Sequence, residues 1–250
     1  MRSNRTGWGG ATVVIAAAIS AGTAAAAAAL EPDDPAAGFS AEVTVTHTMV
    51  DAKGTRLRDL PTARYRLDRG ADGALRLTML ATRSSPARGP LADPFAGITV
   101  DTAADGGWRV RGASGQALSG PAAAAPLPLV EADGDSLVVH GRDRGRRLAA
   151  LAKRYGRAAG TVRALSRYLE RRGRTVEEVL VAPGTGLPVE LNRVEDGVLV
   201  EQHRFEYTPA GDDLLVRSRT ESASAVPGGS GARVVSVTTL SAIQIAGGAR

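Results

Sequence analysis

The sequence predicts a mainly β (α+β) fold: an antiparallel sheet with one apolar and one solvated face, and a basic helical segment set between its two halves. Three observations predict it. Apolar residues recur with a period of two over most of the chain, turn residues separate these runs at short intervals, and helical spacing is confined to residues 142–174.

The start of the chain reads as an export signal. Arg2 and Arg5 are followed by an uncharged, Ala-dominated stretch, Ala11 to Ala29, that holds Val13, Val14, Ile15 and Ile19. Small residues at 27–29 suit signal peptidase, and acidic sequence (Glu31, Pro32, Asp33, Asp34) follows at once. Residues 1–29 are expected to be removed, leaving a mature chain from about Leu30. The alternative is an uncleaved anchor, since 11–30 is just long enough to span a bilayer. The chain has no cysteine, hence no lipobox and no disulfide framework. The expected location is outside the cytoplasm, in the periplasm or cell envelope, with secretion as a variant.

Residues 30–250 read as a single domain. Ala41 to Met49 alternates, with Val43, Val45, His47 and Met49 on one side. Tyr65 and Leu67, then Leu75, Leu77 and Met79, then Trp108 and Val110, continue the apolar side, each flanked by arginine or threonine. Such alternation fits an antiparallel sheet with one wet face and not the doubly covered parallel sheet of α/β enzymes. Residues 112–134 are rich in Ala, Pro and Gly and read as a mobile loop. A C-terminal meander over 175–245 follows, its strands joined by Pro183-Gly184-Thr185-Gly186, by Asp196-Gly197 and by two longer turns. Asp-Gly between alternating runs is a strong hairpin signal. Val189, Leu191, Val216, Val235 and Val237 are expected to face the same side as the N-terminal apolar residues.

Charge is divided sharply. The net charge of the chain is +5, yet residues 142–174 hold twelve basic side chains against Asp143 and Glu170, a net +10. With +2 in the signal, the rest carries −7. Within this segment Leu148, Leu151 and Tyr155, then Val162, Leu165 and Leu169 (with Tyr168 beside it), fall at helical spacing. A helical pair is expected, with these residues on the sheet. Arg147, Arg154, Arg163, Arg167 and Arg171 are expected to point to water as a basic patch, suited to an anionic membrane surface.

No catalytic motif is legible. His47, His140 and His203 are dispersed, without metal-ligand spacing, and are expected at surface or rim positions. Ser114 and Ser230 do not complete a nucleophile elbow. Glu177 and Glu178 are adjacent and so point to opposite faces of a strand. No enzyme activity, catalytic residue, metal or cofactor is expected. Aromatic content of 4% argues against a stacking platform for sugars or single-stranded nucleic acid.

The run Val181-Ala182-Pro183-Gly184-Thr185-Gly186-Leu187-Pro188-Val189-Glu190, then Asp196-Gly197-Val198-Leu199-Val200, then Phe205-Glu206-Tyr207, resembles the C-terminal half of bacterial lipoprotein carriers of the LolA/LolB-like superfamily. The motif match lies within Val179 to Tyr207, and Ala182 stands where an aspartate is usual. The resemblance implies a strongly curved sheet, an incomplete β-barrel or half-barrel, with helices in its mouth. It also implies a cavity for lipid or lipoprotein acyl chains, and it carries over no functional residue.

A second resemblance competes. Leu151 to Gly156 with Gly160-Thr161-Val162-Arg163 and Leu169 to Gly173 is similar to the helix-turn-helix of GntR-type regulators, which implies DNA binding over 146–173. Export disfavours a nucleic-acid partner. The expected function is that of an exported, non-covalent carrier or binding protein for a lipid-like acyl ligand. Its candidate ligand face is Val43, Val45, Tyr65, Leu67, Leu75, Leu77, Met79, Trp108, Val110, Val189, Leu191 and Val216. The alternatives are a structural or interaction protein docking through the basic helices, and the DNA-binding reading.

Overall fold

Antiparallel pairing accounts for nearly all of the regular structure. The computed structural model describes residues 38–60, 62–70, 74–80, 96–102, 107–120, 123, 139–140, 143–209, 215–226 and 231–246. The expected signal and much of the expected 112–134 loop lie outside them.

The N-terminal strands are β1 (Gly38–Val50), β2 (Arg56–Asp59), β3 (Ala63–Arg69), β4 (Leu75–Met79), β5 (Thr99–Thr102) and β6 (Trp108–Arg111). After the short β7 (Val139–His140) come the helix α1 (Arg144–Tyr155) and β8 (Gly160–Val162), β9 (Leu165–Arg172), β10 (Thr175–Ala182), β11 (Leu187–Glu195), β12 (Val198–Pro209), β13 (Leu215–Ala225) and β14 (Arg233–Ala246). The main path through the sheet is β6-β5-β4-β3-β1-β14-β13-β12-β11-β10-β9-β8, with β2 on β1 and β7 on β13. Two meanders are thus joined where the first long strand pairs with the last, and the path does not close into a barrel.

Register shifts between Ser40 and Glu42, Leu180 and Val181, Arg193 and Val194, and Glu206 and Tyr207 insert extra residues into long strand pairs. Such bulges bend a strand and raise its twist, and this is how the sheet becomes a curved, incomplete barrel.

Cross-strand partners share a face, so the register identifies the buried side. One row runs His47, Ser236, Ser222, His203, Leu191, Val179, Tyr168 from β1 to β9. The next runs Ala63, Val45, Thr238, Thr220, Phe205. On this face one apolar cluster gathers residues of β1 and β3–β6 with Val216 and Leu240. A second joins Leu151 and Tyr155 of α1 to Tyr168, Val179, Val181, Leu191 and Phe205. Serine, threonine and histidine lie between them.

Three expectations are corrected. Residues 160–172 are not helical: they form the hairpin β8–β9, which turns at Arg163-Ala164 with both residues at positive φ (50° and 63°). Val162, Leu165 and Leu169 are therefore half-buried strand residues, and the buried side chain is Tyr168. The helix-turn-helix reading falls with it, because its second helix is a strand. Third, Val235 and Val237 pair with Thr48 and Thr46 on the opposite face, and β14 buries Val234, Ser236, Thr238 and Leu240 instead. Among the described residues no helix is long and apolar enough to cross a membrane.

Candidate functional site

The site begins with the capping of α1. The Asp143 carboxylate accepts from the Arg146 N–H at 2.9 Å, and the Gly156 N–H donates to Ala152 O at 2.9 Å, so both ends are satisfied locally. Leu151 and Tyr155, four apart, lie on one helix face and enter the second cluster.

The first turn of α1 is tied to the loop between β10 and β11. Arg147 donates to Thr185 O through Nε (3.0 Å) and Nη2 (2.7 Å), and Arg144 Nε donates to Pro183 O at 2.6 Å. This loop is the Pro-Gly-Thr-Gly turn of the sequence resemblance. Gly186 has φ +72°, and a β-carbon there would lie 3.3 Å from Arg144 O, so both its backbone angle and the approach of the helix call for glycine.

The last turn of α1 is tied by charge. Arg154 Nη2 lies 3.1 Å from Glu177 Oε1, and the Tyr155 hydroxyl donates to the same carboxylate. Burial, reinforced by that hydrogen bond to Glu177, pushes the Tyr155 phenol well above its ordinary value. Glu178 points to the other face, where it accepts from Arg167 and from Asn192 Nδ2 at 2.9 Å.

Beneath α1 lies the feature that sequence reasoning missed. The register shift on β13 makes Ser218 an extra residue, which sets Arg217 opposite Tyr207. Arg217 is 5% exposed, with its guanidinium 4.4 Å from the centre of the Phe205 ring. Its Nε is buried and has no hydrogen-bond partner. His203, only 1% exposed, stacks on the same ring at 6.1 Å and is hydrogen-bonded through Nε2 to Glu201 Oε1 at 2.7 Å. Tyr207 donates to Pro188 O at 2.9 Å. Burial raises its phenol pKa, while the Arg217 and Arg147 guanidiniums oppose that rise. The apolar cluster beneath α1 thus carries two buried guanidiniums beside one phenol. The buried Nε of Arg217, left without an acceptor, costs stability until one meets it.

The sequence-predicted residues divide between regions. Val43, Val45, Tyr65, Leu67, Leu77, Met79, Val110 and Val216 lie in the first cluster, with Leu75 and Trp108 partly buried against it. Leu191 lies in the second cluster, whereas Val189, the extra residue of the β10–β11 bulge, is half-buried and belongs to neither. Of the basic residues, Arg147 is 3% exposed, against the expectation that it points to water, because the Thr185 carbonyl takes its donors. Arg154 is half-buried between two glutamates, Arg167 is paired with Glu178, and Arg163 and Arg171 are exposed. His203 is in the core and not at the rim.

No signal for Arg217 exists in the period-two pattern, where Arg217, Arg219 and Glu221 read as one wet face; only the bulge separates them.

No family model and no curated protein matches this chain. Among solved structures it is similar to the LolA superfamily protein NE2245 from Nitrosomonas europaea, with a TM-score of 0.40, 14% identity and 92% of each chain covered. It is also similar to the structure of the MucA/MucB complex of Pseudomonas aeruginosa, with a TM-score of 0.24, 13% identity, and 92% of this chain and 95% of that chain covered.

Proposed function

We propose that this chain is an exported envelope protein that binds a lipid-like acyl ligand non-covalently, as a carrier or sequestering module. The ligand lies between α1 and the strand residues of the second apolar cluster, and its polar head accepts from Arg217. The observation that carries this reading is the Arg217 guanidinium, buried against Phe205 with Nε unmatched. An acyl chain suits the surrounding Leu151, Val179, Leu191 and Phe205, and a carboxylate, phosphate or ester oxygen suits the guanidinium. Entry requires α1 to lift. Its ties are few and local: Arg144 and Arg147 at one end, Arg154 and Tyr155 at the other. Binding and release by this route need no covalent step.

Native mass spectrometry of freshly purified mature protein, followed by solvent extraction, is expected to reveal bound lipid. Arg217→Met is expected to weaken capture of a fluorescent fatty acid about tenfold, the loss of one charge-assisted hydrogen bond. Full affinity in that variant, or an empty protein that takes up no acyl probe, refutes the reading.

A further inference from the structure

The two ends of the sheet are finished differently, and the difference points to a partner. At the β6 end the chain folds back on its own edge: Leu118 N donates to Val110 O at 2.9 Å, and Arg111 pairs with Ala117. That edge is covered. At the other end β8 covers only Leu165 to Arg167 of β9, and its last bond runs from Ala159 N to Arg167 O at 2.7 Å.

Beyond Arg167, the strand β9 continues to Arg172 with no described strand paired to its outer side. Arg172 and Thr175 flank a two-residue turn, so Arg172, Glu170 and Tyr168 bond to β10, while Leu169 and Arg171 direct their N–H and C=O groups outward. No described residue takes those groups. An open row of donors and acceptors is a template for another strand.

The charge around this edge selects what pairs there. Arg157, Arg163 and Arg171 are exposed and form no ion pair with a described residue, whereas Arg167, Arg172 and Arg174 have carboxylate partners within this chain. A second copy of the chain would bring like charges directly opposite one another, which destabilises a strand pair. On the outer face of β9 the order is Arg167, Leu169, Arg171. Arg167 lies against β8 and is paired with Glu178, so an incoming strand meets Leu169 and Arg171 and carries an acidic side chain opposite Arg171 with an apolar one two residues away.

We propose that the free edge of β9 is a docking site for an extended acidic segment of a partner protein, added as a further antiparallel or parallel strand. Backbone hydrogen bonds to Leu169 and Arg171 supply the pairing, and Arg157, Arg163 and Arg171 select for negative charge. This edge is distinct from the space beneath α1, so docking does not require an acyl ligand.

The test uses the mature protein and a decapeptide with blocked ends, Thr-Glu-Thr-Val-Thr-Glu-Thr-Val-Thr-Glu, in which glutamate and valine alternate along one face. Peptide binding is read by fluorescence anisotropy, and amide hydrogen exchange is read at Leu169 and Arg171. Binding is expected to weaken as salt is raised and to slow exchange at those two amides. A peptide N-methylated at alternate residues keeps its charge and cannot pair as a strand, and it is expected to bind about tenfold more weakly, the loss of one to two net hydrogen bonds. Leu169→Pro removes one outward donor without breaking a bond to β10, so it is expected to fold, by circular dichroism, and to lose the same affinity. Arg163→Glu with Arg171→Glu is expected to abolish binding. Equal binding of the methylated peptide, unchanged exchange at both amides, or no binding at low salt overturns the proposal; the arginines then only keep the edge from pairing.

Discussion

The two wings of the sheet bury their shared face by different means. In the N-terminal wing, Val43, Tyr65, Leu67 and Val100 are fully buried, and apolar side chains do nearly all of the packing. In the C-terminal wing the cover among the described residues is one helix, and Arg147, His203 and Arg217 are buried along with the apolar residues. Burying apolar surface is worth about 25 cal/mol per Å², whereas a buried charge without a partner costs several kcal/mol. The first wing therefore stores stability, and the second gives some of it up at the place where a ligand is proposed to bind. Between them, His47, Ser236, Ser222, Thr238 and Thr220 form a polar seam across β1, β14 and β13.

The largest effect separates the wings directly. Leu67→Ala is expected to cost about 3 kcal/mol in urea unfolding, the sum of lost transfer energy and a residual cavity. Arg217→Met, at a site buried to a similar degree, is expected to be neutral or stabilising, because an apolar side chain replaces an incompletely bonded charge. A loss at Arg217 as large as that at Leu67 would mean that the guanidinium is structural, and the contrast between the wings would break.

Next in size are two turns that meet glycine's requirements in opposite ways. Gly186→Ala places a β-carbon at positive φ and against Arg144 O, and is expected to cost about 1–2 kcal/mol and loosen α1. Loosening should appear as faster amide exchange in residues 147–155. At the β8–β9 turn the strained residue is already present, so Ala164→Gly is expected to gain about 0.5 kcal/mol. Thermal unfolding of both variants checks the pair; destabilisation at 164 would contradict the left-handed turn.

The smallest effect probes the seam. Burial holds the His47 imidazole below its ordinary pKa, with Nδ1 hydrogen-bonded to Ser236 Oγ at 2.7 Å. Below about pH 6.5 the unfolded chain takes up a proton that the folded one refuses, so stability falls as the pH drops through that value. His47→Gln removes this contribution and should flatten the acid side of the Tm-against-pH curve. An unchanged slope would show that His47 titrates alike in both states.

Much of the sheet was legible because alternation and turn chemistry are local. Val43, Tyr65, Leu77 and Val110 alternate with polar neighbours over short runs, and Asp196-Gly197 takes the positive φ angles that a two-residue hairpin needs. Residues 160–172 were not legible. Their apolar residues sit at spacings that suit a helix, and Arg163-Ala164 carries no turn signal, being good helix formers held at positive φ.

The sequence by itself determined the antiparallel class, the alternating apolar face, the C-terminal hairpins and the concentration of positive charge in residues 142–174. Only the tertiary structure decided that β9 pairs with β10 and is no helix, that Thr185 draws Arg147 inward, and that an extra residue at Ser218 turns Arg217 beneath α1. The physical reason is one of range. Periodicity and turn preference act within a few residues, whereas a register shift or a buried cation is stabilised only by strands and carbonyls brought from far along the chain.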